Sequence, residues 1–192
     1  KAELEKKGDE SIESEVQTGG NEQNDYELSS PTIYNNSPTP KSFTQEKAKV
    51  IKRVAEAIGV NPNDLAAVIS FETVGTFSPS IKNPLSSATG LIQFMKDGRG
   101  RYYGTTREQF SSLSFEQQMV YVEKYFRDRG FSSNKKRDVA DTYTAVTGYG
   151  YRCGSKAYNL NKVWDSNKDC YIAKGEMVLN KSFKAHQKKY FD

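Results

Sequence analysis

Apolar residues recur at helical spacing from about residue 43 onward, and they predict the first helix of the chain. Ser42 and Gln45 have the spacing of a capping box, and Gly59 suits the end of a helix. Between them, three- and four-residue steps place apolar side chains on one face. These are Val50, Ile51, Val54, Ala55 and Ile58.

A second helix is predicted from its start signals. Asn61 suits the N-cap, Pro62 suits the first helical position, and Asp64 complements the positive end of the helix dipole. The apolar residues that follow keep the same spacing. They are Leu65, Val68, Ile69 and Phe71.

Three later segments also have helical periodicity, and strands are scarce. The helices are predicted over roughly 107–128, 137–147 and 175–190, separated by loops rich in Gly, Ser and Asn. No internal repeat is present. The expected fold is a mostly α domain over residues 43–192 with few or no short β elements.

Residues 1–42 have a different composition from the rest of the chain. They contain nine acidic and four basic residues, or about −5, and the formal total of +4 leaves +9 for the remainder. Low hydrophobicity combined with high charge is typical of an extended or disordered arm. Ile33 and Tyr34 are candidates to anchor this arm on a partner, and a plain flexible tail is the alternative.

Composition also limits the classes of function. No apolar run is long enough to span a membrane. One His and two Cys leave no room for a His- or Cys-rich metal site, and a Ser-His-Asp triad would need His186, near the end of the chain. The basic runs at 134–137 and 184–189 lack a motif that reads bases, so no nucleic-acid partner is expected.

Glu72 is the most informative residue of the second helix. It continues the apolar stripe of Leu65, Val68 and Ile69 at the i+7 position. A buried carboxyl keeps its proton to higher pH and can act as a general acid. The alternative is a Glu that ends its helix at the surface.

The residues around Glu72 carry a resemblance to a known family. Glu72-Thr73 is followed by Phe77, by Ser87, and by Gly90-Leu-Ile-Gln-Phe-Met95, which begins 18 residues after the Glu. This pattern resembles the lysozyme-like lytic transglycosylases, in the superfamily of soluble lytic transglycosylases and goose-type lysozymes, and most closely phage-encoded murein-degrading enzymes. The resemblance implies a lysozyme-like domain and a catalytic Glu72.

What the resemblance implies is cleavage of the MurNAc-GlcNAc β-1,4 bond of peptidoglycan, leaving a 1,6-anhydromuramyl end. Ser87 and Gln93 would hold the acetamido group and the glycan, while Phe94, Met95 and Tyr149 would supply sugar-stacking surface. The protein would act on the cell wall as part of a phage particle or secretion machine, through residues 1–42. Its location would be the virion, the periplasm or the cell exterior, and the chemistry needs no cofactor.

Several alternatives stay open within this resemblance. The family places a Tyr near the catalytic Glu, but Val146 stands at the matching position of this chain. Tyr149 is the preferred substitute, with Tyr143 and Tyr151 as the others. An inverting muramidase would use Asp97 to position water, and a peptidoglycan-binding module would use no catalytic residue.

Residues 165–176 match the pattern of an EF-hand calcium loop at every position but one. Asp165, Asn167 and Asp169 would supply side-chain oxygens, Tyr171 its carbonyl and Glu176 a bidentate carboxylate. The exception is Cys170, which stands where Gly normally takes a left-handed backbone. Calcium binding and a polar turn that merely retains the motif are the two interpretations.

Cys170 has one potential partner, Cys153, 17 residues earlier. A bond between them would close a loop worth about 3 kcal/mol in the chain-entropy model. It would also indicate an oxidising location. Two free thiols are the alternative.

Overall fold

The protein is mostly helical in a computed structural model that describes residues 32–192. The predicted arm lies outside the described residues as far as position 31. Eight α-helices follow one another in this part: α1 Gln45–Ile58, α2 Pro62–Glu72, α3 Arg107–Ser111, α4 Phe115–Arg127, α5 Val139–Thr147, α6 Lys156–Asn161, α7 Lys174–Val178 and α8 Lys181–Lys184. A single turn of 3₁₀ helix, Lys162–Trp164, follows α6.

Within residues 32–192, the only sheet has two short strands, β1 Tyr151–Arg152 and β2 Tyr171–Ile172. They pair antiparallel, with Tyr151 opposite Ile172 and Arg152 opposite Tyr171. The expectation of a mostly α chain with few short β elements is confirmed.

The start of α1 differs from the prediction. Thr44, not Ser42, is the N-cap, and its hydroxyl oxygen accepts the Lys47 amide. Ser42 belongs to the preceding turn, where its hydroxyl donates to the Gly75 carbonyl at 2.7 Å. The predicted capping box was wrong because Ser42 forms a tertiary contact instead of a local one.

Two predicted long helices are each broken into shorter ones. Thr106 caps α3 and Ser114 caps α4, each with a full capping box, so the segment 107–128 contains two helices. The segment 175–190 breaks where Asn180 caps α8. Apolar periodicity runs across both breaks, whereas the side-chain caps decide where each helix begins.

Helix α2 is the centre of the core. Five consecutive residues, Leu65–Ile69, are almost completely buried, so the helix is enclosed on every side. Helix α1 packs against both α2 and α4, and α5 and α8 pack against α2. The residue that ends α2 is therefore delivered from the middle of the core to its edge.

Residues 32–42, which the sequence assigns to the arm, are docked on the C-terminal segment. The Asn35 amide donates to the Gln187 carbonyl at 2.8 Å, and the Asn35 carbonyl accepts the Lys189 amide at 3.3 Å. The Tyr34 hydroxyl donates to the Asp64 carboxylate at 2.9 Å. Packed structure therefore begins before residue 42, while Ile33 remains 89% exposed.

Within residues 32–192, no helix combines the length and apolar character needed to cross a membrane.

Candidate functional site

Glu72 is the last residue of α2 and is only 6% exposed. Its burial follows from its position, because the apolar stripe of α2 continues to the end of the helix. The Glu72 carboxyl group therefore lies where a fully buried helix reaches the edge of the core.

A tight turn fixes the chain immediately after Glu72. Thr73 is buried, its hydroxyl donates to the Ile69 carbonyl at 2.7 Å, and its oxygen accepts the Phe77 amide at 3.0 Å. Val74 and Gly75 both take positive φ, of 53° and 76°. Thr73 therefore closes the helix and binds the segment that leaves it, which holds Glu72 in a defined position.

Gln118 of α4 holds the motif segment, residues 90–95, in place. The side-chain oxygen of Gln118 accepts the Leu91 amide at 2.7 Å, and its nitrogen donates to the carbonyls of Pro79 and Phe110. Gly90 has φ 81°, and a Cβ there would lie 2.2 Å from the Gln118 oxygen. The motif glycine is therefore required by both its backbone conformation and its contact with Gln118.

Arg107 holds the loop that precedes this segment, residues 83–89. Its Nε donates to the Thr89 hydroxyl at 2.7 Å, and its Nη2 donates to three carbonyls. These belong to Asn83, Ser86 and Ala88, at 2.9–3.0 Å. One guanidinium group thus orders the loop that carries the motif serines.

The predicted glycan contacts take different positions. Ser87 is buried, and its hydroxyl lies between the Met95 sulfur at 3.8 Å and the Lys96 amide at 3.4 Å. Met95 is 40% exposed, so its side chain is accessible to a ligand. Gln93 is buried with φ 54°, and its side chain donates to the Gly90 carbonyl.

The expectation that Phe94 stacks on sugar does not fit its surroundings. Phe94 is 4% exposed and packs edge-on against Phe110, Tyr103 and Tyr125 at ring-centre distances of 5.0–5.9 Å. Both faces are covered by protein. Phe94 is therefore a core residue, and the exposed aromatic ring beside it belongs to Tyr103.

The three candidate tyrosines differ in their environments. Tyr143 is fully buried and stacks on Phe183 at 4.0 Å, which makes it a core residue. Tyr151 donates its hydroxyl to the Thr147 carbonyl at 3.0 Å. Tyr149 is 42% exposed, with the Lys174 ammonium 4.9 Å from its ring centre. Tyr149 alone of the three presents a large exposed surface.

A fourth tyrosine, Tyr125 of α4, interacts electrostatically with Glu72. Burial raises the pKa of Tyr125, Arg129 opposes this, and the charge of Glu72 raises it further. The Tyr125 hydroxyl donates to the Ala145 carbonyl at 2.8 Å, and the Arg129 guanidinium lies 3.4 Å from the ring centre. Nothing local in the sequence distinguishes Tyr125, because its amphipathic helix explains it as packing.

Asp97 lies in an exposed turn. One of its carboxylate oxygens accepts the amides of Arg99 and Arg101 at 2.8 and 2.9 Å, and these two bonds lower the pKa of Asp97. The carboxylate therefore stabilises its own turn.

The calcium-type loop has the internal hydrogen bonds expected of its pattern. The two Asp165 oxygens accept the amides of Asp169 and Cys170, at 3.2 and 3.1 Å. Asn167 accepts the Asp169 amide, and Asp169 accepts the Tyr171 amide. Cys170 has φ 68°, the left-handed conformation that its place in the pattern requires.

The last residue of this loop is turned toward the loop backbone. Glu176 Oε1 accepts the Ser166 amide and hydroxyl and the Asn167 amide, and Oε2 accepts the Ala173 amide. In residues 32–192, no group of three or more His, Cys, Asp or Glu side chains is arranged to hold a metal ion. The Glu176 carboxylate, which the pattern assigns to the ion, is thus bonded to donors of its own loop.

A disulfide joins Cys153 to Cys170. The backbones also pair there, since the Cys153 amide donates to the Cys170 carbonyl at 3.0 Å. The bond links the calcium-type loop to the segment that follows β1.

Comparisons with known proteins were negative at every level. No family model, curated protein or solved structure matches this chain.

Proposed function

We propose that this protein is a peptidoglycan lytic transglycosylase with a lysozyme-like domain, and that Glu72 is its catalytic acid and base. The observation that carries the proposal is the burial of Glu72 at the end of the core helix α2. Burial favours the protonated carboxyl, which is the form a general acid needs. The ordered motif segment that begins 18 residues later, at Gly90, supports the same assignment.

The proposed reaction moves one proton in each direction. Glu72 donates its proton to the glycosidic oxygen as the bond from that oxygen to the anomeric carbon breaks. The acetamido group of the muramyl sugar assists at the anomeric carbon. Glu72, now a carboxylate, takes the proton of the C6 hydroxyl, and the C6 oxygen bonds to the anomeric carbon. Water is not consumed.

The position of Asp97 favours this scheme over an inverting hydrolase. An inverting reaction needs a second carboxylate to activate water. No acidic residue lies between Glu72 and Asp97 in the sequence. The Asp97 carboxylate accepts two amides of its own exposed turn, so it is a poor candidate for that role.

Within this proposal, Tyr125 takes the place of the family tyrosine beside the acid. Its pKa responds to the charge of Glu72, and its hydroxyl is fixed on the backbone of Ala145, next to Val146. A Tyr125→Phe protein should lose turnover while KM stays near the wild-type value, and its stability should fall only by the about 1 kcal/mol expected from loss of the hydrogen bond to Ala145. The matched Tyr149→Phe change should have a smaller effect on turnover. Wild-type kcat in the Tyr125→Phe protein contradicts this role.

The substrate surface proposed here is smaller than the motif suggests. Met95 and Tyr149 are exposed enough to contact a glycan, whereas Phe94 is not. Ser87 and Gln93 lie within the ordered loop, where their hydrogen bonds shape the segment 87–95. Their contribution to glycan binding is through that shape and through the Ser87 hydroxyl.

The test is analysis of the products of murein digestion by mass spectrometry. Anhydromuramyl ends support a transglycosylase, and reducing ends indicate a hydrolase. Glu72→Gln should remove activity, whereas Glu56→Gln, at an exposed position of α1, should retain it. Activity that survives Glu72→Gln contradicts the assignment of the acid.

We also propose that residues 165–176 bind Ca²⁺ as a structural ion. The side-chain oxygens of Asp165, Asn167 and Asp169 and the Tyr171 carbonyl are of the type that calcium prefers. Binding would require Glu176 to exchange its backbone partners for the ion. The ion would then stabilise the loop between α6 and α7.

The proposed place of action is the cell wall, reached from a virion or a secretion machine, in the periplasm or at the cell exterior. The disulfide supports an oxidising location. The net charge of +9 on residues 43–192 supports an anionic polymer as the partner, because long-range attraction speeds encounter. Detection of the protein in a reducing compartment with both thiols free contradicts this placement.

A further inference from the structure

A cavity lies beside the ordered motif segment, and its lining is polar and basic. Its volume is about 230 Å³, and it is lined by Ser86, Ser87, Lys96, Gly100, Tyr102 and Arg107. Sites that enclose drug-sized ligands are larger, about 300–1,000 Å³. The cavity therefore suits a single functional group of a larger ligand.

Arg107 gives this cavity a fixed positive charge. Its Nε and Nη2 make four hydrogen bonds, all to neutral oxygens of the loop. In the part of the chain that the structure describes, Nη1 has no hydrogen bond and no carboxylate forms an ion pair with the guanidinium group. The charge is thus held rigidly in place without an anionic partner.

The surrounding segment increases this positive potential. Residues 96–107 contain four basic residues and one acidic residue, a net charge of +3. The acidic residue, Asp97, accepts two backbone amides of its own turn. Glu108, the next carboxylate along the chain, lies 3.8 Å from Lys82. The sequence that borders the cavity therefore carries more positive than negative charge.

Hydroxyl groups complete the lining. Ser86 is buried, and its oxygen accepts the Ala88 amide at 3.2 Å, which leaves its hydrogen for a ligand. The Ser87 hydroxyl has only a long contact to a sulfur atom as its acceptor. Tyr102 also lines the cavity, and its hydroxyl donates to the Ser87 carbonyl. Hydroxyl donors beside a guanidinium group are suited to carboxylate or phosphate oxygens.

We propose that this cavity is a subsite for an anionic group carried by the cell-wall polymer. The proposal rests on the proposed function, since it names a further part of the same substrate. Two sources share the required chemistry: a carboxylate of the stem peptide and a phosphate of a wall teichoic acid. Arg107 and Lys96 bind the anion, and the serine hydroxyls orient it.

The test measures binding separately from cleavage. A Glu72→Gln protein is titrated with three wall preparations: glycan strands stripped of peptide by an amidase, peptide-bearing murein without teichoic acid, and wall that retains teichoic acid. The Lys96→Gln change is then introduced into this Glu72→Gln protein. Lys96 is chosen over Arg107 because Arg107 orders the loop, so its replacement would disturb the fold. Lys52→Gln, at an exposed position of α1, is the control for loss of one charge.

The expected result is binding about fivefold weaker with Lys96→Gln than with Lys52→Gln, on at least one anionic preparation and not on stripped strands. Weakening already on peptide-bearing murein identifies the carboxylate. Weakening only with teichoic acid identifies the phosphate. Equal binding by the two variants on all three preparations, or no binding, overturns the subsite. Cleavage of the same preparations by the wild-type protein tests the proposed enzyme separately, because its failure leaves a charge-dependent difference in binding intact.

Discussion

The side-chain oxygen of Gln118 accepts the Leu91 amide at 2.7 Å, which joins helix α4 to the motif segment across 27 positions of the chain. The same carboxamide donates to the Pro79 and Phe110 carbonyls. One fully buried polar side chain thus satisfies three backbone groups from three segments. The motif glycine, Gly90, packs against it.

Gln118→Leu should therefore destabilise the protein strongly, although the two side chains are similar in size. The change leaves buried backbone groups without partners, each costing about 1–3 kcal/mol. A loss of about 3 kcal/mol in the free energy of unfolding is expected from urea denaturation. Gln45→Leu, at an exposed position of the first turn of α1, is the control for replacement of a surface glutamine. A Gln118→Leu protein as stable as the wild type would remove Gln118 from this role.

The pH dependence of stability should contain a contribution from Asp64. Burial raises the pKa of Asp64 from 3.8 to about 6. Above pH 6 the folded protein contains an ionised Asp64 carboxyl in its core, and the full free-energy penalty of burying that charge applies. As the pH falls from 6 towards 3.8 the folded state takes up its proton before the unfolded state does, so this group's contribution to stability rises.

The measurement is a comparison with Asp64→Asn, which retains an acceptor for the Tyr34 hydroxyl. Between pH 7 and pH 4, the wild type should gain roughly 2.4 kcal/mol relative to the variant. Asp192→Asn, at an exposed position, should show no such difference. A wild-type-minus-variant difference that stays constant over this pH range refutes the contribution.

Calcium should stabilise the protein through Glu176. If the loop binds Ca²⁺, a free concentration about 100 times the dissociation constant adds about 2.7 kcal/mol to the free energy of unfolding. The melting temperature should rise with calcium and fall back with a chelator. Glu176→Gln should abolish the response and Glu56→Gln should retain it. The same melting temperature in calcium and in chelator argues against an ion site.

Two double variants can separate the contribution of the disulfide to stability from that of the left-handed backbone at Cys170. Replacing Cys153 and Cys170 by Ala removes a bond worth about 3 kcal/mol. Replacing Cys170 by Gly instead, with Cys153→Ala, should recover about 1 kcal/mol, because φ at this position is 68°. Urea denaturation of the two proteins measures the difference. If the Gly variant is no more stable than the Ala variant, the left-handed backbone does not strain the chain.

Local patterns were sufficient to predict the central helix, and they gave burial of its last residue as one of two interpretations. Asn61 and Pro62 define the start of α2, and its apolar spacing places Glu72 in the core. Both signals lie within a few residues of the feature they predict. The helix breaks near Ser114 and Asn180 were missed because apolar spacing continues across them.

The framework of the site could not be predicted, because it consists of contacts between distant segments. Arg107 and Gln118 look like surface residues of amphipathic helices, yet each satisfies groups far away in the chain. The burial of Phe94 depends on rings from Phe110 and Tyr125 in the same way. The packing of residues 32–42 was missed because their composition resembles that of a disordered arm.

We propose that Glu72 cleaves peptidoglycan as a single acid and base. Mass spectrometry of murein digested by the wild-type protein and by Glu72→Gln tests it most directly. The expected result is anhydromuramyl fragments from the wild type and intact murein with Glu72→Gln. Reducing-end fragments, no fragments from the wild type, or unchanged digestion by Glu72→Gln would contradict it.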